Sequence, residues 1–242
     1  MPTYIGVDGC PDGWIAVIYS EMDFEGAKFY EDLSDLWDEH SDAERILVDV
    51  PIGLRKDSNE PRNCDTAARK KLKPDRYRSV FPTPVREVSR EDSYEDAKEK
   101  QEELTEGSLN TQTWGITPKI RQVDEFLLDT KEARGTIREA HPEVCFWAFD
   151  GSEMEYSKTN DRAQAFWERV AVLRKVEEDV YDHLWEVGTG DLEGEPSNDD
   201  IVDAFAVALT ARGDEEGLET LPEEPEVDDV GLPMEMVYRP LH

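Results

Sequence analysis

Two short apolar runs, far apart in the chain, each stop at an aspartate and a turn, and this constrains the fold more than any other feature. Thr3 to Val7 runs into Asp8-Gly9-Cys10-Pro11-Asp12-Gly13, and Ile46-Leu47-Val48 runs into Asp49-Val50-Pro51-Ile52-Gly53. Short, fully apolar runs suit strands buried on both faces. The first run turns through Gly9 to Gly13 into a second apolar run, Trp14 to Tyr19, which predicts a hairpin. A third strand is expected near Ala27 to Tyr30, and a short helix over Asp32 to Glu39. A lone strand after a helix pairs in parallel with the first strand. Asp8 and Asp49 then emerge together at the carboxyl ends of neighbouring strands, where open α/β sheets collect their ligands. Adjacent buried carboxylates repel and are costly without a cation or hydrogen bonds. The plainer reading is that each aspartate caps its own turn.

Farther along, Leu54 to Arg134 is polar and helical in places, which predicts a mainly helical insertion at residues 54–134. Thr136 to Ala140 is a weak strand, followed by His141-Pro142-Glu143. Glu143 falls in the first turn of a helix starting near Pro142, a position that favours an acid in any case. It is also a candidate for metal or substrate contact. His141 fits packing and catalysis equally well. Asp161 to Val187 carries an amphipathic helical pattern. Ser197 and Asn198 cap a last helix, Asp199 to Arg212. The helix dipole accounts for Asp199 and Asp200. Asp203 is different: it lies among Ala204, Ala206 and Ala208, small residues that let the helix approach a sheet closely. Met234 to Tyr238 is a late strand. The order is α/β, a mixed sheet flanked by helices, in one domain over residues 1–242.

Carboxylates from distant positions suit hard ions, Mg²⁺ or Mn²⁺. Two such ions about 4 Å apart clamp both oxygens of an in-line phosphoryl displacement. The chain has no GxSxG, HExxH or GxxxxGK[ST] motif that would suggest other chemistry. Net charge is −31, from 58 acids and 27 bases. This acid excess is spread along most of the chain, and it reads as adaptation to molar salt, where the Debye length is only about 3 Å. Against it stands a basic segment, Arg55 to Arg90, with eleven bases and five acids. Such a segment either attracts a polyanion or pairs with the protein's own acids. Cys10, Cys64 and Cys145 are odd in number and form no CxxC, which suits a reducing compartment. With no leader pattern and no long apolar stretch, a soluble, cytoplasmic protein is expected.

Several segments together resemble a family of ribonuclease H-like nucleases catalogued as a domain of unknown function, family 429. They are Gly6 to Trp14, Asp49 to Leu54, Arg62-Asn63-Cys64-Asp65 with Ala68-Arg69, and Ser79-Val80-Phe81-Pro82. Gln112, Pro118-Lys119-Ile120, Val123-Asp124, His141 to Phe146, Asp199-Asp200 with Asp203-Ala204, and Met234 to Tyr238 complete the set. The resemblance spans nearly the whole chain in order. It implies a ribonuclease H-like fold and metal-dependent nuclease activity. The last helix also resembles that of Holliday-junction resolvases, which implies that Asp200 and Asp203 ligate metal with Asp8. Asp49 falls where a second acid often lies. The long insertion departs from a minimal ribonuclease H domain.

The leading expectation is phosphodiester hydrolysis of DNA or RNA. Asp8, Asp49, Asp200 and Asp203 would hold Mg²⁺ or Mn²⁺, with Glu143 assisting. Arg62, Arg69 and Lys119 would hold phosphate, and Gln112 and His141 would face the substrate. A phosphotransferase or nucleotide-binding protein of the same fold is a second reading. A nucleic-acid-binding protein without metal is a third, favoured if the Asp8 and Asp49 carboxylates lie more than about 8 Å apart.

Overall fold

The structure, a computed structural model, describes residues 1–21, 23–214 and 217–241. β1 (Thr3–Cys10) and β2 (Gly13–Ser20) form the expected hairpin, paired out to Cys10 opposite Gly13. β3 (Phe24–Tyr30) adds antiparallel to β2. α1 (Leu33–His40) buries Leu33, Leu36 and Trp37 and returns the chain to β4 (Arg45–Val48), which pairs in parallel with β1. β5 (Ile137–Glu139) continues in parallel beside β4. The sheet order β3-β2-β1-β4-β5 is mixed, antiparallel on one side of β1 and parallel on the other. It is consistent with the ribonuclease H-like fold.

Among the described residues, the segment between β4 and β5 is helical and holds no strand. It contains α2 (Asn63–Lys71), α3 (Tyr94–Thr105) and α4 (Thr111–Asp129), with short 3-10 turns between them. α4 does more than fill an insertion. Its Ile120, Val123 and Leu127 pack with Ile5, Val7, Ile46 and Val48, so it covers one sheet face. The other face is covered by α5 (Pro142–Asp150), α6 (Arg162–Val176), α7 (Val180–Thr189) and α8 (Asn198–Ala211), packed on Ile15, Val17 and Leu47. The helical pattern from Asp161 to Val187 is broken once, where Glu177 turns extended (φ −137°, ψ 111°). That turn folds Val180 and Leu184 back onto the same core.

β6 (Glu219–Val227) and β7 (Pro233–Tyr238) form a separate antiparallel pair. β7 is the expected late strand. β6 carries two prolines and four glutamates, a composition that hides a strand, and its register shifts between Leu221 and Glu226. All three cysteines are free and buried. Among the described residues no helix is long and apolar enough to cross a membrane.

One contact places the site. α8 lies directly on β1 because Gly6 has no side chain. A Cβ there would come 2.0 Å from Ala208 N and 2.5 Å from Ala204 O.

Candidate metal centre

In the parallel pair, Gly6 stands opposite Leu47 and Val7 opposite Val48. The next two residues, Asp8 and Asp49, are therefore neighbours, and the Asp49 N–H donates to Val7 O at 2.9 Å. Side chains alternate along a strand. Gly6 and Leu47 face α8, so Asp8 and Asp49, two residues on, face it too. Asp203 precedes the Ala204 that touches Gly6 and completes the group from the helix side. One carboxylate oxygen from each of Asp8, Asp49 and Asp203 lies within 4.8 Å of the others. The separation of more than about 8 Å that favours a metal-free protein is not seen. Asp8 also makes the turn-capping bond, accepting from the Gly9 N–H at 2.7 Å, so the two roles coexist.

Two lysine and arginine contacts shape the far side of this group. Lys158, in the loop before α6, donates to Asp203 Oδ2 and stands 3.9 Å from Glu143 Oε1. Arg169, only 1% exposed on α6, donates to the same Glu143 oxygen. Among the described residues, Asp203 Oδ1 and Glu143 Oε2 are buried with no hydrogen-bond partner. An orphaned anionic oxygen beside other carboxylates is expensive to leave bare.

The electrostatics follow. Burial pushes the Asp8 carboxyl well above its ordinary value, and the charges of Asp49, Asp203 and Asp200 push it further. Burial takes Asp49 up to about 6, although His141 pulls the other way. Asp203 is raised by burial and only partly offset by Lys158. Glu143 differs: burial raises it, but Lys158 and Arg169 together hold it below the usual carboxylate range. The three-aspartate group therefore carries more negative charge than its protein neighbours neutralise. Three hard oxygen donors with an orphaned oxygen among them fit Mg²⁺ or Mn²⁺.

The other expected residues fall in several places. Asp200 sits in the capping box of α8, accepting from the Ser197 N–H at 2.8 Å while its own N–H donates to Ser197 Oγ. It stands outside the three-aspartate group, though its charge is felt at Asp8. Arg62, expected to hold phosphate, is fully buried and occupied. Its guanidinium donates to both oxygens of Asp65, both of Glu139, and the carbonyls of Ile52 and Gly53. No donor remains for a phosphate, so its place is structural. The same arginine pairs with both carboxylates of a second group, Cys64, Asp65 and Glu139. Arg69 donates twice to Val80 O (3.0 and 2.7 Å), holding the Ser79 to Phe81 segment in place.

That segment lines a cavity of about 170 Å³ with Asp8, Asp49, His141 and Lys119. Lys119 donates to Gly13 O at 2.6 Å and lies over the Trp14 ring. A larger cavity of about 580 Å³ opens beside it. Gln112, Arg76, Arg78 and His141 line it with Asp49, Glu143, Lys158 and Asp203. His141 caps α5, with Nδ1 accepting from the Glu143 N–H at 3.2 Å and Nε2 3.3 Å from Ser79 O. That pattern places the ring proton on Nε2.

Much of the basic segment is turned inward. Arg55 pairs with Glu226, Arg86 with Asp124, Asp228 and Asp229, and Arg90 with Asp124. Sequence reasoning did not single out Lys158 or Arg169. Each becomes visible only when α6 and its preceding loop fold against α5 and α8.

A family model described as a protein of unknown function (DUF429) matches residues 6–227. No curated protein and no solved structure matches the chain.

Proposed function

We propose, from the premise that the chain belongs to the DUF429 family, that it is a metal-dependent nuclease hydrolysing phosphodiester bonds of DNA or RNA. The observation that carries this reading is the meeting of Asp8, Asp49 and Asp203, from two strands and a helix, within 4.8 Å. A fold does not collect three carboxylates, two of them buried, at one sheet end without an energetic return, and a divalent cation supplies it. Asp8, Asp49 and Asp203 hold the ion. When bound, such an ion makes a water acidic enough to attack at neutral pH and offsets charge on the phosphoryl group.

The chain's own groups do the rest. Arg76 and Arg78 give the larger cavity a positive wall for phosphate, and Lys119 does the same for the smaller. Phe81 borders both cavities and offers a face for a base. His141, its tautomer fixed by Ser79 O and the Glu143 N–H, keeps α5 and Glu143 in register with the aspartates.

The test is cleavage of single- and double-stranded DNA and RNA with Mg²⁺ or Mn²⁺, at low and at molar KCl, comparing wild type with Asp8→Asn. The substitution lowers cleavage by more than about a hundredfold, since losing even an outer partner of a metal ligand costs about 10–100-fold. Unchanged cleavage by a folded Asp8→Asn protein removes the mechanism.

A further inference from the structure

We infer that this centre holds a single divalent ion, and that the Lys158 ammonium occupies the place a second ion would take. The inference rests on the metal-dependent reading above and narrows it to a one-ion phosphodiester site.

Charge is the first argument. Four acids meet here: Asp8, Glu143 and Asp203, which are buried, and Asp49, which is half-buried. Two protein cations already lie among them, Lys158 and Arg169. Two negative charges remain, which one divalent ion matches. A second ion would leave the pocket positive in the absence of substrate, at the cost of desolvating another dication. Asp200 stands outside this group, and although its charge is felt at Asp8, its carboxylate is bonded to the Ser197 N–H at the positive end of α8.

Geometry is the second. A two-ion centre needs carboxylates whose oxygens reach both metals, about 3.5–4 Å apart. On the Asp8 and Asp49 side, Asp203 Oδ1 is free to do this. On the far side one oxygen of each acid is taken, Asp203 Oδ2 and Glu143 Oε1, and Glu143 Oε2 is left without a partner among the described residues. Lys158 Nζ lies between Asp203 Oδ2 and Glu143 Oε1, and Arg169 holds the same Glu143 oxygen. Arg169 has no exit, being 1% exposed. Lys158 differs from it in one respect: its side chain is 24% exposed and borders the 580 Å³ cavity. An ammonium has three N–H donors. With one on Asp203, two remain on a side chain that lines the cavity. Lys158 therefore supplies, as a fixed organic cation, charge stabilisation that a second metal supplies elsewhere, and it also orients Asp203 towards the first ion.

The experiment is Mn²⁺ binding to the full, metal-free chain, followed by calorimetry and electron paramagnetic resonance, in wild type, Lys158→Met, Lys158→Gln and Lys158→Arg. Wild type and Lys158→Arg bind one Mn²⁺ per chain with an isolated-ion spectrum. Lys158→Met and Lys158→Gln admit a second Mn²⁺, seen as a doubled stoichiometry and a spin-coupled pair. Two ions in wild type overturn the inference, whatever the variants do. So does a stoichiometry that stays at one in a folded Lys158→Met or Lys158→Gln protein. The two readings fail differently. No Mn²⁺ binding to wild type sinks both, whereas the expected stoichiometries without cleavage of any nucleic acid sink the nuclease and leave the one-ion centre standing.

Discussion

An aspartate carboxyl ordinarily ionises near pH 4, yet burial holds Asp49 up to about 6, and Asp8 and Asp203 move the same way. For a carboxyl raised in the folded state, the favourable contribution to stability is complete below the unfolded value and is lost as pH climbs through the folded one. For Asp49 that window runs from about 4 to about 6, and the loss is on the order of 2–3 kcal/mol in the metal-free chain. A divalent ion reverses the trend, because it competes with protons for the same oxygens. The rise in melting temperature on adding Mn²⁺ is therefore larger near pH 7.5 than near pH 5, by several degrees for a chain of this size. An equal rise at both values would place the ion on some other group. Residues differ in how plainly their sequence announces them. Asp8 and Asp49 are legible because each closes an apolar strand: turn capping accounts for either alone, and parallel pairing of the two strands brings both together. Asp203 is legible because an acid among alanines interrupts a packing surface. Arg62 misleads, since nothing local shows that Glu139, far along the chain, claims its guanidinium. Lys158 carries no local signal whatever: its partners Asp203 and Glu143 come from two other elements.

At the scale of elements, the site depends on how closely α8 lies on β1. Gly6 makes that approach possible, and Asp203 sits one residue before the Ala204 in contact with it. In Gly6→Ala the new methyl would meet backbone, Ala208 N at 2.0 Å and Ala204 O at 2.5 Å, and backbone in the middle of a buried helix cannot step aside cheaply. The substitution costs about 3 kcal/mol or more by denaturant titration, at the upper end of overpacking penalties. It also weakens Mn²⁺ binding, because a displaced α8 carries Asp203 away from Asp8. Gly9→Ala is the control, since its nearest contact is an ordinary 3.6 Å to the Lys119 side chain. If both variants melt alike, the close approach is not what fixes the site. The strands of the main sheet were readable because apolar runs and turn residues mark them. β6 was not, since its pairing with β7 rests on backbone bonds that a proline-rich, acidic sequence conceals. The role of α4 was also hidden. Periodicity shows that a segment is helical, not which face of which sheet it covers, and here a helix of the insertion packs against one face of the sheet.

For the whole molecule, the question is how a chain of charge −31 stays compact. Its charges fall into two groups that salt treats differently. One is paired and sheltered: Arg62 with Asp65 and Glu139, and Arg86 with Asp124 and Asp228, where the acid side chains are no more than 3% exposed. Buried pairs are screened little by mobile ions. The other group is the unpaired part of the acid excess, 58 acids against 27 bases in the whole chain. There the dominant interaction is mutual repulsion, which acts over about 10 Å at 0.1 M salt and about 3 Å at 1 M. Added KCl should therefore remove the destabilising interaction and leave the stabilising one. The melting temperature of the metal-free chain rises from about 0.1 M to about 1 M KCl, as the Debye length falls from about 10 Å to about 3 Å. The opposite slope, melting that falls as KCl is added, would mean that exposed pairs such as Lys28 with Glu39 and Arg121 with Asp92 hold the fold more strongly than the acid excess strains it. The acidic surface would then need an explanation other than solvent.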